Sequence, residues 1–386
     1  MKIIHCTIIF VLLSILSITG QERISIDPER TPRGSLALSE LIESIEYIPL
    51  ETNGQCYLGD INYDYQVIVS DNYIIVQYFT LSSNSYFLFN RAGKFIAQIG
   101  RMGGGPGEYL NSSTLVGIDE KNNQIIIGTR RAADNITFNY YDLNGKFVQS
   151  TLVDQRFIHF RGIKLDDKYV SVRISVNNPE RSFHFGFFSN DYKLIKEKKI
   201  DTDITFGGTR MYSHYTYNGQ LHFKISHRND TLYRINKDFS FFPKYFINTG
   251  RYSVFPGITE REYNNSVALW SVFETDRYIL ISYRYIEKLF YHYYDKNRRQ
   301  SFLFNSDSGI PNDYDGGLSF WPMKQNGKEF VSWYNAYFFE ENENSIRPKG
   351  TLKAVENLNN VTKGIEKFTR ENLTEANPVI VIVKFK

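Results

Sequence analysis

The sequence predicts an all-β protein that folds as a single six-bladed β-propeller. Three observations predict this fold. The 28 Tyr and 30 Phe among 386 residues favour the half-buried surface of strands. A four-stranded unit recurs roughly every 45 to 60 residues, which is the spacing of propeller blades. Finally, each end of the chain carries an apolar strand that is available to complete one unit.

A hairpin with a tight turn marks five of the units. Each copy has a strand, a turn rich in Gly, Asn or Asp, and a second strand. Gly93 and Gly145 suit such turns because Gly accepts positive φ. The copies cover residues 86–99, 139–148, 186–195, 231–240 and 290–299.

A further strand pair is predicted before each hairpin and once more near the C-terminus. The pairs are 60–65 with 72–78, 113–118 with 124–129, 157–165 with 169–175, 210–217 with 220–226, 267–274 with 278–283, and 318–324 with 329–334. The sixth unit lacks two strands in chain order. We expect Val379–Val383 to supply the third and Ser44–Leu50 the fourth, which would close the ring and cover exposed strand edges.

Residues 1–20 have the pattern of a secretory signal, with Lys2 before an apolar run and Gly20 before a cleavage point at Gln21. The apolar run is too short for a stable membrane span. A lipoprotein would need a cysteine just after that run, whereas Cys6 lies before it. We therefore expect an exported, periplasmic or secreted protein with neither lipid anchor nor transmembrane segment, and one domain over residues 21–386.

Charge and cysteine content exclude several classes. The 45 Lys and Arg and the 42 Asp and Glu are interspersed and give a net charge of +3, so no nucleic-acid surface is indicated. After cleavage Cys56 is the one remaining cysteine, which excludes an intramolecular disulfide. We expect Cys56 to be buried and inert.

One insertion interrupts the strands. Within about 349–376, apolar residues recur at spacings of three or four, which predicts one helix or two short ones. The insert is expected to cap one end of the ring, with docking of a protein partner as the alternative.

Four segments carry a resemblance to a known family: residues 45–52, 100–109, 229–250 and 377–386. On these segments the chain resembles the six-bladed propellers of exported proteins from Bacteroidetes-type bacteria, relatives of NHL-repeat and TolB-like propellers. The family's biochemistry is mostly undefined, so the resemblance implies fold and export but no activity. Many members carry a lipoprotein cysteine, and this chain departs from them there.

The segment Gly103–Gly107 is rich in glycine but does not fit a phosphate-binding loop. It lacks the Gly-Lys-Ser/Thr ending and precedes a strand instead of a helix. A tight turn between blades is the favoured interpretation. Arg101 and Glu108 flank it and either pair with each other or line the channel mouth.

Ligands of propellers usually bind at the central channel, where the innermost strands converge. Aromatic, Arg and His side chains at these positions suit a sugar, a peptide or an anionic small molecule. The channel-facing candidates are Tyr63, Arg101, His159, Arg161, Arg210, Tyr212, His214, Trp270 and Trp321.

The leading functional prediction is a non-catalytic binding or scaffold propeller for a small molecule, glycan or peptide, with no cofactor. No nucleophile elbow or linear acid–base pair is present, although residues brought together only in space escape such a search. The alternative is a metal-assisted lyase or hydrolase of NHL-propeller type. In that alternative His159 and His214, on neighbouring inner strands, hold zinc or calcium.

Overall fold

The fold is described from a computed structural model. It describes residues 21–58, 66–80, 82–132, 135–153, 163–165, 168–175, 181–189, 191–202, 212–225, 230–255, 258–340 and 376–386. The first three strands of the chain each pair with a strand that comes much later in the sequence. They are β1 (Glu22–Ser25), β2 (Arg33–Gly34) and β3 (Ile42–Pro49).

Three antiparallel, four-stranded blades follow, each with its strands in chain order. Blade 1 consists of β4 (Gln66–Val69), β5 (Tyr73–Phe79), β6 (Asn84–Asn90) and β7 (Phe95–Gln98). Blade 2 consists of β8 (Thr114–Asp119), β9 (Gln124–Ala132), β10 (Asn135–Asp142) and β11 (Phe147–Val153). Blade 3 consists of β12 (Ile163–Leu165), β13 (Lys168–Ser175), β14 (Arg181–Phe188) and β15 (Leu194–Thr202).

The remaining blades recruit the N-terminal strands. Blade 4 consists of β16 (Tyr212–Tyr217), β17 (Gln220–Ile225), β18 (Thr231–Ile235) and β19 (Phe241–Asn248), and β1 pairs in parallel with β19. Blade 5 consists of β20 (Ala268–Glu274), β21 (Tyr278–Tyr285), β22 (Lys288–Asp295) and β23 (Gln300–Phe304), and β2 pairs in parallel with β23. Blade 6 consists of β24 (Lys324–Asn326), β25 (Glu329–Tyr334), β26 (Val379–Phe385) and β3.

Closure by both chain ends is confirmed. The register sets Val379 opposite Pro49 and Val383 opposite Ile45, so the last strand of the chain lies between β25 and β3. Because each chain end contributes a strand to one sheet, blade 6 cannot form until both ends meet.

Buried apolar clusters link successive blades into a ring. Separate clusters join blades 1 and 2, 2 and 3, 3 and 4, and 6 and 1, while one large cluster spans blades 4, 5 and 6. Among the described residues every blade thus packs on two neighbours. This burial is the main source of stability. The ring of blades makes the molecule an all-β propeller.

The turns between third and fourth strands recur as predicted. Gly93 and Gly145 have φ of 79° and 75°. In blade 2 the Asp142 carboxylate accepts the backbone N–H of Lys146, and a Cβ at Gly145 would lie 2.1 Å from the carbonyl oxygen of Gln98 in blade 1. Glycine is therefore required here both by the turn and by the close approach of the previous blade.

Antiparallel order gives the ring two distinct faces. Turns between first and second and between third and fourth strands lie on one, here called the turn face. Turns between second and third strands, together with the connections from blade to blade, lie on the other, here called the connection face.

Two predicted strands differ from the structure. Blade 1 takes Gln66–Val69 as its first strand, while residues 60–65 lie outside the described ranges. Of the predicted strand 318–324 only Lys324 belongs to β24, because the preceding residues form a long connection whose one bridge joins Ile310 and Phe320.

Helices are few and short in the described part of the chain. They are Leu38–Leu41, Glu260–Asn264 and Tyr337–Glu340, with 3₁₀ turns at Glu120–Asn122 and Gly250–Tyr252. None of the described helices has the length and apolarity needed to cross a membrane. The predicted helical insert lies outside the described residues, apart from its last position.

Candidate functional site

The structure describes only part of the predicted channel set. Tyr63, His159, Arg161 and Arg210 lie outside the described residues, and only the backbone of Tyr212 is described, at the start of β16. The proposed metal pair of His159 and His214 therefore stays a prediction. The other candidates can be placed.

Trp270 lies on a β-bulge of the innermost strand of blade 5. Leu269 pairs with Tyr283 and Ser271 pairs with Ser282, so Trp270 is the extra residue. Bulges redirect a side chain and often occur beside binding sites. The indole is partly exposed near the end of β20 that lies towards the connection face.

Trp321 lies in the connection that precedes β24, so its predicted position on an inner strand is wrong. Its Nε1–H donates to the Ser271 hydroxyl at 3.1 Å, and its ring lies 4.7 Å from that of Tyr291. Ser271 and Ser282 share a further hydrogen bond of 2.6 Å. These contacts fix the orientation of a partly exposed indole.

His214 lies on β16, the innermost strand of blade 4. The neighbouring Ser213 hydroxyl accepts the backbone N–H of Val272 at 3.1 Å, which joins the innermost strands of blades 4 and 5. His214 lies opposite Phe223 of β17, which packs on Phe185 of blade 3, so the His214 side chain lies on the face of blade 4 that is turned away from blade 5. Trp270, Tyr291 and Trp321 are here called the aromatic site, and His214 is not part of it.

Arg101 is held by its own loop. Its Nε–H donates to the Glu108 carboxylate at 2.7 Å, and the Gly105 N–H donates to the other oxygen, also at 2.7 Å. A Cβ at Gly103 would lie 2.1 Å from that carboxylate. The glycines thus let the loop wrap around Glu108, which supports the turn interpretation and the predicted pairing of Arg101 with Glu108.

A buried ionic cluster that sequence reasoning missed lies towards the turn face, between blades 4 and 5. Its centre is Glu274, which is 1% exposed. Both of its carboxylate oxygens accept from the Lys244 ammonium at 2.8–2.9 Å, and one accepts from Lys296 at 2.6 Å. The hydroxyls of Tyr215 and Tyr245 donate to it at 3.0 and 3.1 Å.

This ionic cluster perturbs its members strongly. Burial raises the pKa of Glu274, but the two ammonium groups outweigh burial and the net shift is downward. Burial and the charge of Lys244 lower the pKa of His222 to about 4, so this stacked neighbour of Tyr215 stays neutral. Because five hydrogen bonds saturate the Glu274 carboxylate, it is suited to joining two blades and not to acting as a base or nucleophile.

Only weak signals could have revealed the ionic cluster. In blade 4 the extra residue of the outer-strand bulge is Lys244. Counted from the preceding turn, the equivalent residues of blades 1 to 3 are Gln98, Ser150 and Glu197. Lys244 is therefore the one basic residue at a repeat position that is polar in all four blades.

Cys56 is buried and free as predicted, and burial raises its pKa. No group of three or more His, Cys, Asp or Glu side chains is arranged to hold a metal within the described ranges.

A cleft of about 380 Å³ also opens between the segments 25–30 and 248–252. Arg251 in its wall already donates to Glu29 and to the Tyr252 hydroxyl, so this charge is internally neutralised.

Six blades in a ring that both chain ends close define a β-propeller. The chain belongs to a family described as a domain of unknown function, DUF4934, whose model matches residues 22–384.

Two solved structures match most of the chain. A Bacteroides fragilis protein described as a candidate exported protein is 16% identical and has a TM-score of 0.60, and the match covers 94% of this chain and 99% of that one. A member of the DUF4221 family from Bacteroides vulgatus is 10% identical with a TM-score of 0.40 over 90% and 97% of the two chains. No curated protein sequence matches the chain.

Proposed function

We propose that this chain is an exported binding propeller that recognises a glycan at the aromatic site without transforming it. The observation that carries the proposal is the pair of partly exposed indoles, with Trp270 at a bulge of β20 and Trp321 fixed by Ser271. The signal pattern of residues 1–20 supports export.

The chemistry of the aromatic site favours a glycan. Sugar rings combine apolar C–H faces with hydroxyl groups, so they need flat apolar surfaces beside hydrogen-bonding groups. Trp270, Trp321 and Tyr291 offer aromatic surface, and the indole N–H and phenol groups of these residue types are hydrogen-bonding groups. Because the two indoles have few rotatable bonds, binding costs little side-chain entropy.

Tryptophan fluorescence tests this proposal directly. The chain has three tryptophans, and Trp333 is only 6% exposed, so a ligand on the ring should alter mainly Trp270 and Trp321. We expect a glycan identified by array screening to change the emission of the mature protein, and Trp270→Ala to weaken its binding.

Phe242→Ala is the matched control, because this aromatic is also exposed but lies on the outer strand of blade 4. A glycan that binds Trp270→Ala and wild type equally would overturn the site. A peptide that binds in place of glycans would overturn the ligand class. If mass spectrometry detects cleavage of the bound glycan, the non-catalytic role is overturned.

A further inference from the structure

The outer edge of blade 2 is exposed in an unusual way. The first six of the seven residues of β11 are exposed, and Leu152 reaches 68% and Val148 51%. The strand Phe-Val-Gln-Ser-Thr-Leu-Val carries no charge. It pairs with β10 on one side, and no described strand pairs with its other side. Such an edge offers unpaired backbone N–H and C=O groups to another strand.

The other outer edges are protected, two of them by added strands. β1 covers β19 in blade 4, and β2 covers β23 in blade 5. Outer edges of this ring therefore do accept an additional strand, and in these two blades the chain supplies it itself.

Charge, proline or short length protects the remaining edges. β15 of blade 3 carries Lys196, Lys198 and Lys199, and β3 of blade 6 carries Glu43 and Glu46 and ends at Pro49. β7 of blade 1 has only four residues. Each of these features is a recognised defence against edge pairing. Among the described outer strands, only β11 lacks all of them: no strand covers it, it carries no charge and no proline, and it is seven residues long.

We propose that β11 pairs with β11 of a second copy of this chain, antiparallel about a two-fold axis at Ser150. The sequence of β11 is symmetric in polarity about that residue, with two apolar residues, three polar ones and two apolar ones. Antiparallel pairing sets Val148 opposite Leu152 of the second copy and Gln149 opposite Thr151. Apolar side chains then meet apolar ones, and no like charges oppose each other.

The same strand carries the bulge of its blade, with Val148 as the extra residue. The straight part of the edge therefore begins at Gln149, and the turned-out Val148 lies beside it. A short ladder flanked by apolar contacts on both sides of the axis gives a closed dimer, because a two-fold interface uses up both edges.

Sedimentation of the mature chain over a concentration series tests the dimer. We expect a mass that rises towards twice the monomer's, and Leu152→Lys to weaken association by about tenfold or more. Ile195→Lys, at the corresponding exposed bulge of blade 3, is the matched control and should leave association unchanged.

A cysteine placed on the axis tests the register. Since Cys56 is buried, Ser150→Cys should form a disulfide-linked dimer under mild oxidation, whereas Ile195→Cys should remain monomeric. A wild type that stays monomeric at every concentration would overturn the proposal. Equal association of the Leu152→Lys variant, or equal cross-linking of both cysteine variants, would also overturn it.

Discussion

The joint between blades 1 and 2 and the joint between blades 4 and 5 solve one packing problem by different means. The first is a cluster of buried Ile, Leu and Tyr side chains, in which Tyr86 and Tyr109 meet edge to face at 4.8 Å, and the hydrogen bonds of Gln77 to the backbone of Ser113 and Leu115 across it join neutral groups. The second also contains apolar residues but adds Glu274, two ammonium groups and the buried imidazoles of His222 and His292.

The difference teaches which conditions each joint withstands. Apolar burial has no direction and does not respond to protonation. An ionic joint fixes the relative position of two blades through directed hydrogen bonds, but it depends on the charge state of every member. We therefore expect the ring to weaken first between blades 4 and 5 when the pH falls.

The largest expected effect comes from removing the central carboxylate. Glu274→Gln leaves two ammonium groups and two phenols competing for one neutral oxygen, and breaking a buried pair in this way costs about 3 to 5 kcal/mol. Urea denaturation at neutral pH measures the loss. Glu46→Gln, which breaks the solvent-exposed pair with Arg91, should scarcely change stability. Equal effects of the two substitutions would contradict an ionic joint.

Acid should weaken the same joint. Burial lowers the pKa of His292 to about 3, and that of His222 is about 4, so both stay neutral in the folded chain while the unfolded chain binds protons below about 6.5. The loss of folding stability that the two histidines cause is absent above about pH 6.5, and it grows as the pH falls towards their pKa values in the folded chain. Each histidine costs several kcal/mol of stability once the pH is below its folded pKa, and His292 costs more than His222 because its pKa is lowered further.

A substitution at His292 isolates one share of this pH dependence. Neither ring nitrogen of His292 has a hydrogen-bonding partner among the described residues. His292→Leu should therefore be close to neutral at pH 7 and lose less stability than wild type at pH 4.5, as measured by denaturation. Ile127→Val, in the joint between blades 1 and 2, should cost the same at both pH values. A loss at pH 7 comparable to that of Glu274→Gln would show that His292 has a buried partner.

The smallest expected effect tests close packing at the apolar joint. Gly145 and Gly219 have similar φ, 75° and 66°, so alanine at either position adopts a left-handed backbone. A Cβ at Gly145 meets the Gln98 carbonyl, whereas one at Gly219 meets nothing within 4 Å. Gly145→Ala should cost about 2 kcal/mol more than Gly219→Ala in thermal or urea unfolding. Equal costs would mean that the turn alone requires glycine.

Local patterns were sufficient to predict the fold. Strand alternation and the Gly turns reveal the repeat, and the apolar run at Val379–Val383 and the segment Ser44–Leu50 predict the closure. Trp270 follows from its place on an inner strand. Its bulge does not, because a bulge depends on the count of residues in two strands at once.

The ionic cluster and the place of Trp321 could not be predicted for a related reason. Lys244 and Glu274 lie on strands of different blades and Lys296 lies in the turn after β22, so only the packing of the blades brings the three together. Trp321 lies in a connection whose end is set by the short β24. Contacts between side chains of different blades are long-range in sequence, so the spacing of residues along the chain does not predict them.

The shared sixth blade also sets the order in which the molecule can be completed. Synthesis begins at the N-terminus, so Ile42–Pro49 exists long before Val379–Phe385 does, and β1 and β2 likewise wait for the outer strands of blades 4 and 5. The final step is a search between residues more than 300 positions apart, and contacts of such long range make folding slow. A growing chain of this design stays open until Val379–Phe385 has been made.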